Sequence, residues 1–127
     1  MVRLRRRAPQ ALAAAFVTSG LVHLVRPQVF ASIMPRAIPE EHHTNLIYAS
    51  GVVELVCAVG LLRRTRWASA ASLATLAAVF PANIQMALDA GTGRNPGPSD
   101  SRALAWGRLP LQLVMAWAAR QARPDPD

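Results

Sequence analysis

WASAASLATLAAVFPANIQMAL, residues 67–88, runs for 22 residues without an Asp, Glu, Lys or Arg. A bilayer core about 30 Å thick requires roughly 20 apolar residues of helix, so this stretch is long enough to cross one. A soluble helix of that length carries a charged face, and this one has none. Residues 8–25 form a second run of 18 positions with no Asp, Glu or Arg. Two further apolar stretches are each broken by a single charge: residues 46–62 (LIYASGVVELVCAVGLL) by Glu54, and residues 103–119 (ALAWGRLPLQLVMAWAA) by Arg108. All four read as transmembrane helices, over 9–25, 46–62, 67–88 and 103–119, against the alternative of a soluble four-helix bundle. The expected fold is all-α: an integral membrane four-helix bundle, one domain over residues 1–127.

Length and composition agree with this reading. A chain of 127 residues holds one domain. An apolar share of 52% excludes a disordered chain. With Cys57 as its one cysteine, the chain has no disulfide framework, no CxxC redox pair and no four-cysteine metal site.

The formal charge of +7 comes from fourteen basic residues, all arginine, against seven acids. Arg3, Arg5, Arg6 and Arg7 precede the first span. Arg63, Arg64 and Arg66 fill the turn between the second and third, and Arg120 and Arg123 follow the fourth. With four spans these segments share one side. The opposite loops mix Arg26, Arg36, Arg94 and Arg102 with Glu40, Glu41, Asp89 and Asp100. The positive-inside rule makes the first side cytoplasmic, with both termini inside, in a multi-pass protein of the plasma (inner) membrane. The basic excess then faces anionic headgroups, so the bilayer is the expected partner and nucleic acid is not. RLRRR followed by ALAAAFV also resembles a cleavable signal peptide, but Thr18, Ser19 and His23 suit a retained helix better.

The first long loop reads RPQVFASIMPRAIPEEHHTN. Val29, Phe30, Ile33 and Met34 make one apolar face, which predicts a short helix over 28–34 lying flat at the interface. Thr44 or Asn45 is placed to cap the second span, and Ser99, Asp100 or Ser101 the fourth. Ala70, Ala74, Ala78 and Ala82 recur at a spacing of four, a stripe that lets a neighbouring backbone approach closely. Trp67, Trp106 and Trp117 sit near span ends, as interface anchors do. Glu40, Glu41, His42 and His43 are metal-ligating types, but adjacent loop residues rarely share one face, and no metal site is assigned.

The chemistry lies in the polar residues inside the spans. Glu54 is eight residues from either end of its span, hence about 12 Å from each edge. Insertion scales charge roughly 2.5–3.5 kcal/mol for Asp, Lys or Arg at such a depth, and Glu is expected to be similar. That cost falls if the carboxyl is protonated or paired, and Arg108 is the opposite charge inside another span. The two are expected to meet directly or through a bridging group. His23, Ser50, Asn83 and Gln112 fall at a similar level, with Ser19 one turn from His23. Pro81 and Pro110 each remove a helical hydrogen bond there. Four helices thus bring polar groups to one level in the outer half of the membrane, as a pocket would. A structural Glu–Arg pair that only fixes register is the competing reading. Cys57, one turn from Glu54, reads as a small hydrophobe.

GLVHLVRPQVFASIMP (20–35), IYASGVVELVCAVGLL (47–62), VFPANIQMAL (79–88) and WGRLPLQLVMAW (106–117) together resemble the DoxX-like family of small bacterial membrane proteins. The resemblance covers most of residues 10–120 and implies a four-helix membrane bundle. It falls on His23, Pro27, Pro35, Glu54, Pro81, Asn83, Arg108, Pro110 and Gln112. It also implies a link to membrane redox subunits and thiol-stress complexes, with a quinone or a small oxyanion as ligand and an oxidoreductase as partner subunit. An enzyme role would be that of such a subunit rather than of a stand-alone catalyst, because one cysteine cannot cycle as a dithiol. The competing functional readings are a non-enzymatic scaffold or assembly factor, as a homo-oligomer, and a transporter built from several copies.

Overall fold

A computed structural model describes residues 2–31, 34, 37–93 and 101–122. Among them all regular structure is helical. The four long helices are α1 (Val2–Val25), α3 (His43–Leu62), α4 (Ala68–Asp89) and α5 (Arg102–Arg120). A single turn, α2 (Gln28–Ala31), and a 3-10 turn (Glu40–His42) lie between α1 and α3.

α1 starts seven residues earlier than the hydropathy pattern predicts. Arg3, Arg5, Arg6 and Arg7 are therefore helical rather than a leading segment, with Pro9 inside the helix. Arginine is a good helix former, and Pro9 deprives only the Arg5 carbonyl of its helical donor. The predicted caps also differ. α3 begins after His42, so Thr44 and Asn45 fall within its first turn and cap nothing. The 3-10 turn supplies the entry instead, and the His43 ring donates to the carbonyl of Ile38 at 2.7 Å. Ser101 does stand at the N-cap of α5, without a side-chain hydrogen bond. Ser99 and Asp100 lie outside the described residues, as do Ile33, Pro35, Arg36, Arg94 and Arg123.

α3 ends in a Schellman motif. The amide of Thr65 donates to Gly60 at 3.0 Å and that of Arg64 to Leu61 at 3.3 Å, with Arg64 at φ 56° in the left-handed position glycine usually takes. Trp67 closes the turn over Gly60, where a Cβ would stand 2.6 Å from the indole ring. This fixes α3 and α4 as an antiparallel hairpin.

α1 packs on α3 and α5, and α4 packs on α3 and α5, which closes a ring with α3 diagonally opposite α5. The tightest pairings are α1 with α3 and α4 with α5. The close crossing is made by Gly20 and Gly51. A Cβ on Gly51 would meet the His23 Cβ at 2.7 Å and the Gly20 carbonyl oxygen at 3.0 Å. The expected alanine stripe does not make it: Ala70, Ala74 and Ala78 are exposed, and α4 buries Ser69, Ser72, Thr75 and Leu76 instead.

The ends of the ring differ. At the end with the chain termini, Leu12, Ala13 and Phe16 pack against Cys57, Ala58, Leu61, Ala68 and Ala119 in one apolar core. At the other end, hereafter the loop end, Met86, Ala87, Ala90 and Ala105 form a smaller cluster with Phe30 and Leu109 against it.

α1, the stretch Glu40–Leu62 and α4 are long and apolar enough to cross a membrane. The outward face of α3 agrees, since Val52, Val53, Val56, Val59 and Leu62 are all exposed, an apolar patch of a kind soluble monomers rarely carry. The protein is accordingly a membrane protein by length and hydropathy. α5 is less apolar than these three, because Arg108, Pro110 and Gln112 lower its hydropathy.

Candidate functional site

Between the terminal core and the loop-end cluster the ring encloses a cavity of about 470 Å³. All six residues singled out in the sequence line it: His23 from α1, Ser50 and Glu54 from α3, Asn83 from α4, and Arg108 and Gln112 from α5. Ser19 joins them. Phe16, Leu76 and Met115 form an apolar floor towards the terminal core, and Phe30, Met34 and Ile38 form an apolar roof at the loop end.

The α1/α3 wall is built on the glycine crossing. Because Gly51 has no side chain, the His23 stem lies against α3, and its Nδ1 reaches the carbonyl of Ile47 at 2.9 Å. A carbonyl only accepts, so Nδ1 carries the proton. In the neutral ring Nε2 then presents a lone pair, and it lies 3.9 Å from Oε1 of Glu54. The Glu54 side chain is only 6% exposed. Its Oε2 is buried and has no hydrogen-bond partner. Ser19 sits beside the carboxyl and Ser50 one turn away.

The α4/α5 wall is held differently. Gln112 donates its amide to the carbonyl of Leu76 and accepts from Nδ2 of Asn83 at 2.6 Å. This network ties α5 to α4 just where Pro81 interrupts the helical hydrogen bonds, as polar side chains do at prolines in membrane helices. The exposed Arg108 donates from Nη1 to Sδ of Met86 at 3.4 Å.

Glu54 and Arg108 therefore share one cavity, but the direct meeting is not made. No ion pair within 4.0 Å joins them, and they attract each other across the cavity from diagonally opposite helices.

The roof is the part sequence reasoning missed. Of the helix expected over 28–34, Gln28–Ala31 forms one helical turn, Ser32 and Ile33 lie outside the described residues, and Phe30 stacks on His23 with ring centroids 3.9 Å apart. Pro27 is the available signal, because it ends α1 abruptly and turns the chain back over its own end. The glycine crossing was also missed, although Gly20 and Gly51 stand in the sequence as the only glycines of their spans near the polar level.

Two other candidates stay apart from the cavity. His42 lies 3.5 Å from Glu41 on the surface, while His43 turns away to Ile38, and among the described residues no three His, Cys, Asp or Glu side chains converge as metal ligands. Cys57 is buried in the terminal core, its Sγ 3.5 Å from the Thr75 hydroxyl. That hydroxyl donates to Ala71 at 2.8 Å, so the thiol is the donor between them.

No curated protein and no solved structure matches the chain. Residues 12–123, which take in α1 from Leu12 onward, the other three helices of the ring and every polar residue of the cavity, match one protein family, and the chain belongs to it: the family described as Domain of unknown function (DUF8561).

Proposed function

We propose that this protein is a multi-pass four-helix bundle of the plasma (inner) membrane, with both termini cytoplasmic, and that it binds a small ligand between Glu54 and Arg108. The observation that carries the reading is the cavity itself. A buried carboxyl with one oxygen unpartnered and a guanidinium line it from opposite helices. A purely structural pair would close the gap between them, since an unpaired buried charge costs several kcal/mol. α5 serves as the fourth span. Leu104, Leu113 and Val114 present its outer face to lipid, while Arg108, Leu111 and Gln112 turn to the cavity. The arginines at the terminal end support the cytoplasmic assignment.

Arg108 selects for an acceptor, either a quinone carbonyl or the oxygen of a small oxyanion. The resemblance to DoxX-like proteins adds the context, a membrane subunit of a redox or thiol-stress complex. Electrons would then come from an oxidoreductase partner, because Cys57 is the one cysteine and is buried.

Native mass spectrometry of the protein extracted with its lipids tests this. The native chain retains a bound small molecule, and Glu54→Gln and Arg108→Gln lose it at an unchanged melting temperature. Undiminished retention in both variants removes the reading.

A second reading, a non-enzymatic scaffold or assembly factor, draws on the exposed Ala70 and Ala74, which leave α4 a face for close approach of another copy. A ligand-free homo-oligomer in the same spectra favours it.

A further inference from the structure

The two walls of the cavity are not chemically alike, and their difference narrows the ligand. The α1/α3 wall offers acceptors: the Glu54 carboxylate, the Nε2 lone pair of His23, and the hydroxyl oxygens of Ser19 and Ser50. The α5 side offers the Arg108 guanidinium, a rigid fork of five N–H donors of which one goes to the weak acceptor Met86 Sδ. A lone oxyanion would satisfy Arg108 and bring a second negative charge to Glu54. A lone amine would satisfy Glu54 and repel Arg108. A hydroxyl brings one donor to a wall with several acceptors, whereas a primary ammonium brings three.

We infer that the ligand is a zwitterion, with a primary ammonium against Glu54 and His23 and an oxyanion against Arg108. The inference rests on the cavity being a ligand site, and of the two acceptors considered above it selects the oxyanion. Glu54, Arg108 and the two ends of such a ligand sum to zero charge, the arrangement a low-dielectric site tolerates best. The floor of Phe16, Leu76 and Met115 faces the short hydrocarbon link between the two charged ends. Arg108 is exposed at the edge of the cavity while Glu54 lies deep, so the ammonium enters first and the oxyanion stays at the rim. The same chemistry is carried by an aminophospholipid headgroup arriving from the bilayer and by a free phosphoethanolamine-like molecule arriving from water.

The test uses the full chain in membranes of equal parts phosphatidylethanolamine, phosphatidylcholine and phosphatidylglycerol, extracted gently and weighed with its bound lipid. The ethanolamine headgroup carries three N–H donors, the choline headgroup a cation with none, and the glycerol headgroup no cation. About tenfold enrichment of phosphatidylethanolamine over both others is expected, the worth of one charge-assisted contact. Glu54→Gln should abolish the preference and Arg108→Gln the retention. The lipid comparison needs only the native chain, so a variant that fails to assemble does not spoil it. In a second arm O-phosphoethanolamine is titrated into lipid-stripped protein. Binding there identifies a water-borne zwitterion, and enrichment of the lipid without such binding identifies the headgroup. Equal retention of the three lipids, or enrichment of phosphatidylglycerol, with no binding of O-phosphoethanolamine, overturns the zwitterion. A quinone or other neutral molecule retained instead also overturns it and leaves the ligand site standing. Nothing retained under any condition overturns both.

Discussion

The terminal half and the loop half of this molecule are built from the same four helices and solve opposite problems. In the terminal half small side chains close the space, and Ala13, Ala58, Ala68 and Ala119 are buried to 0% exposure. In the loop half the helices hold a cavity of about 470 Å³ open, with polar groups from all four on its walls. Lipid is as apolar as leucine, so helices in a membrane associate through packing and hydrogen bonds rather than through a hydrophobic drive. The terminal half uses the first means and the loop half the second. The difference teaches that the packed end carries most of the cohesion, which leaves the polar end able to accept an open space.

The sharpest way to break that contrast is to make one truncation in each half. Leu61 is 2% exposed in the terminal core, and Leu61→Ala should cost about 2–4 kcal/mol, towards the lower figure because lipid supplies no transfer term. Leu46 lines the cavity at 39% exposure, and Leu46→Ala should change stability by less than about 0.5 kcal/mol. Thermal unfolding in detergent reads both, and equal losses would end the distinction.

A second comparison concerns glycines. Gly51→Ala gains about 1 kcal/mol of helix propensity, but its Cβ meets His23 and the Gly20 carbonyl, an overpacking worth about 1–3 kcal/mol. A net loss near 1 kcal/mol is expected, with the His23 bond to Ile47 disturbed in the histidine NMR spectrum. Gly107→Ala, where nothing lies within 4 Å, should instead gain up to about 1 kcal/mol. A modest loss is expected from Gln112→Leu. It removes the bonds to Asn83 and Leu76 and should cost about 0.6–1 kcal/mol, the range for hydrogen bonds between membrane helices, read in the same melts.

Much of this was legible in the chain. The uncharged runs gave the long helices, because hydropathy over about 20 residues is a strong signal. The six polar residues of the cavity were legible because polar groups inside apolar spans are costly and stand out. What was not legible depends on rotation and on close approach. The spacing of Ala70, Ala74 and Ala78 is as regular as any packing stripe, yet Ala70 and Ala74 are exposed, Ala78 lines the cavity, and two isolated glycines make the crossing. The Glu54–Arg108 pairing was open between a direct and a bridged meeting, because sequence gives depth along a helix but not which helices are diagonal. The fold-back of Phe30 onto His23 depended on a loop whose periodicity fits an interfacial helix equally well.

The pattern of helix contacts has a consequence for how the molecule is made. Each tight pair, α1 with α3 and α4 with α5, joins helices that follow one another in the chain, and the two pairs are linked by the short arginine turn. Synthesis therefore delivers two finished hairpins in succession. The cavity comes into being only when the second folds against the first, so a nascent chain halted before α5 would already be anchored yet lack the cavity.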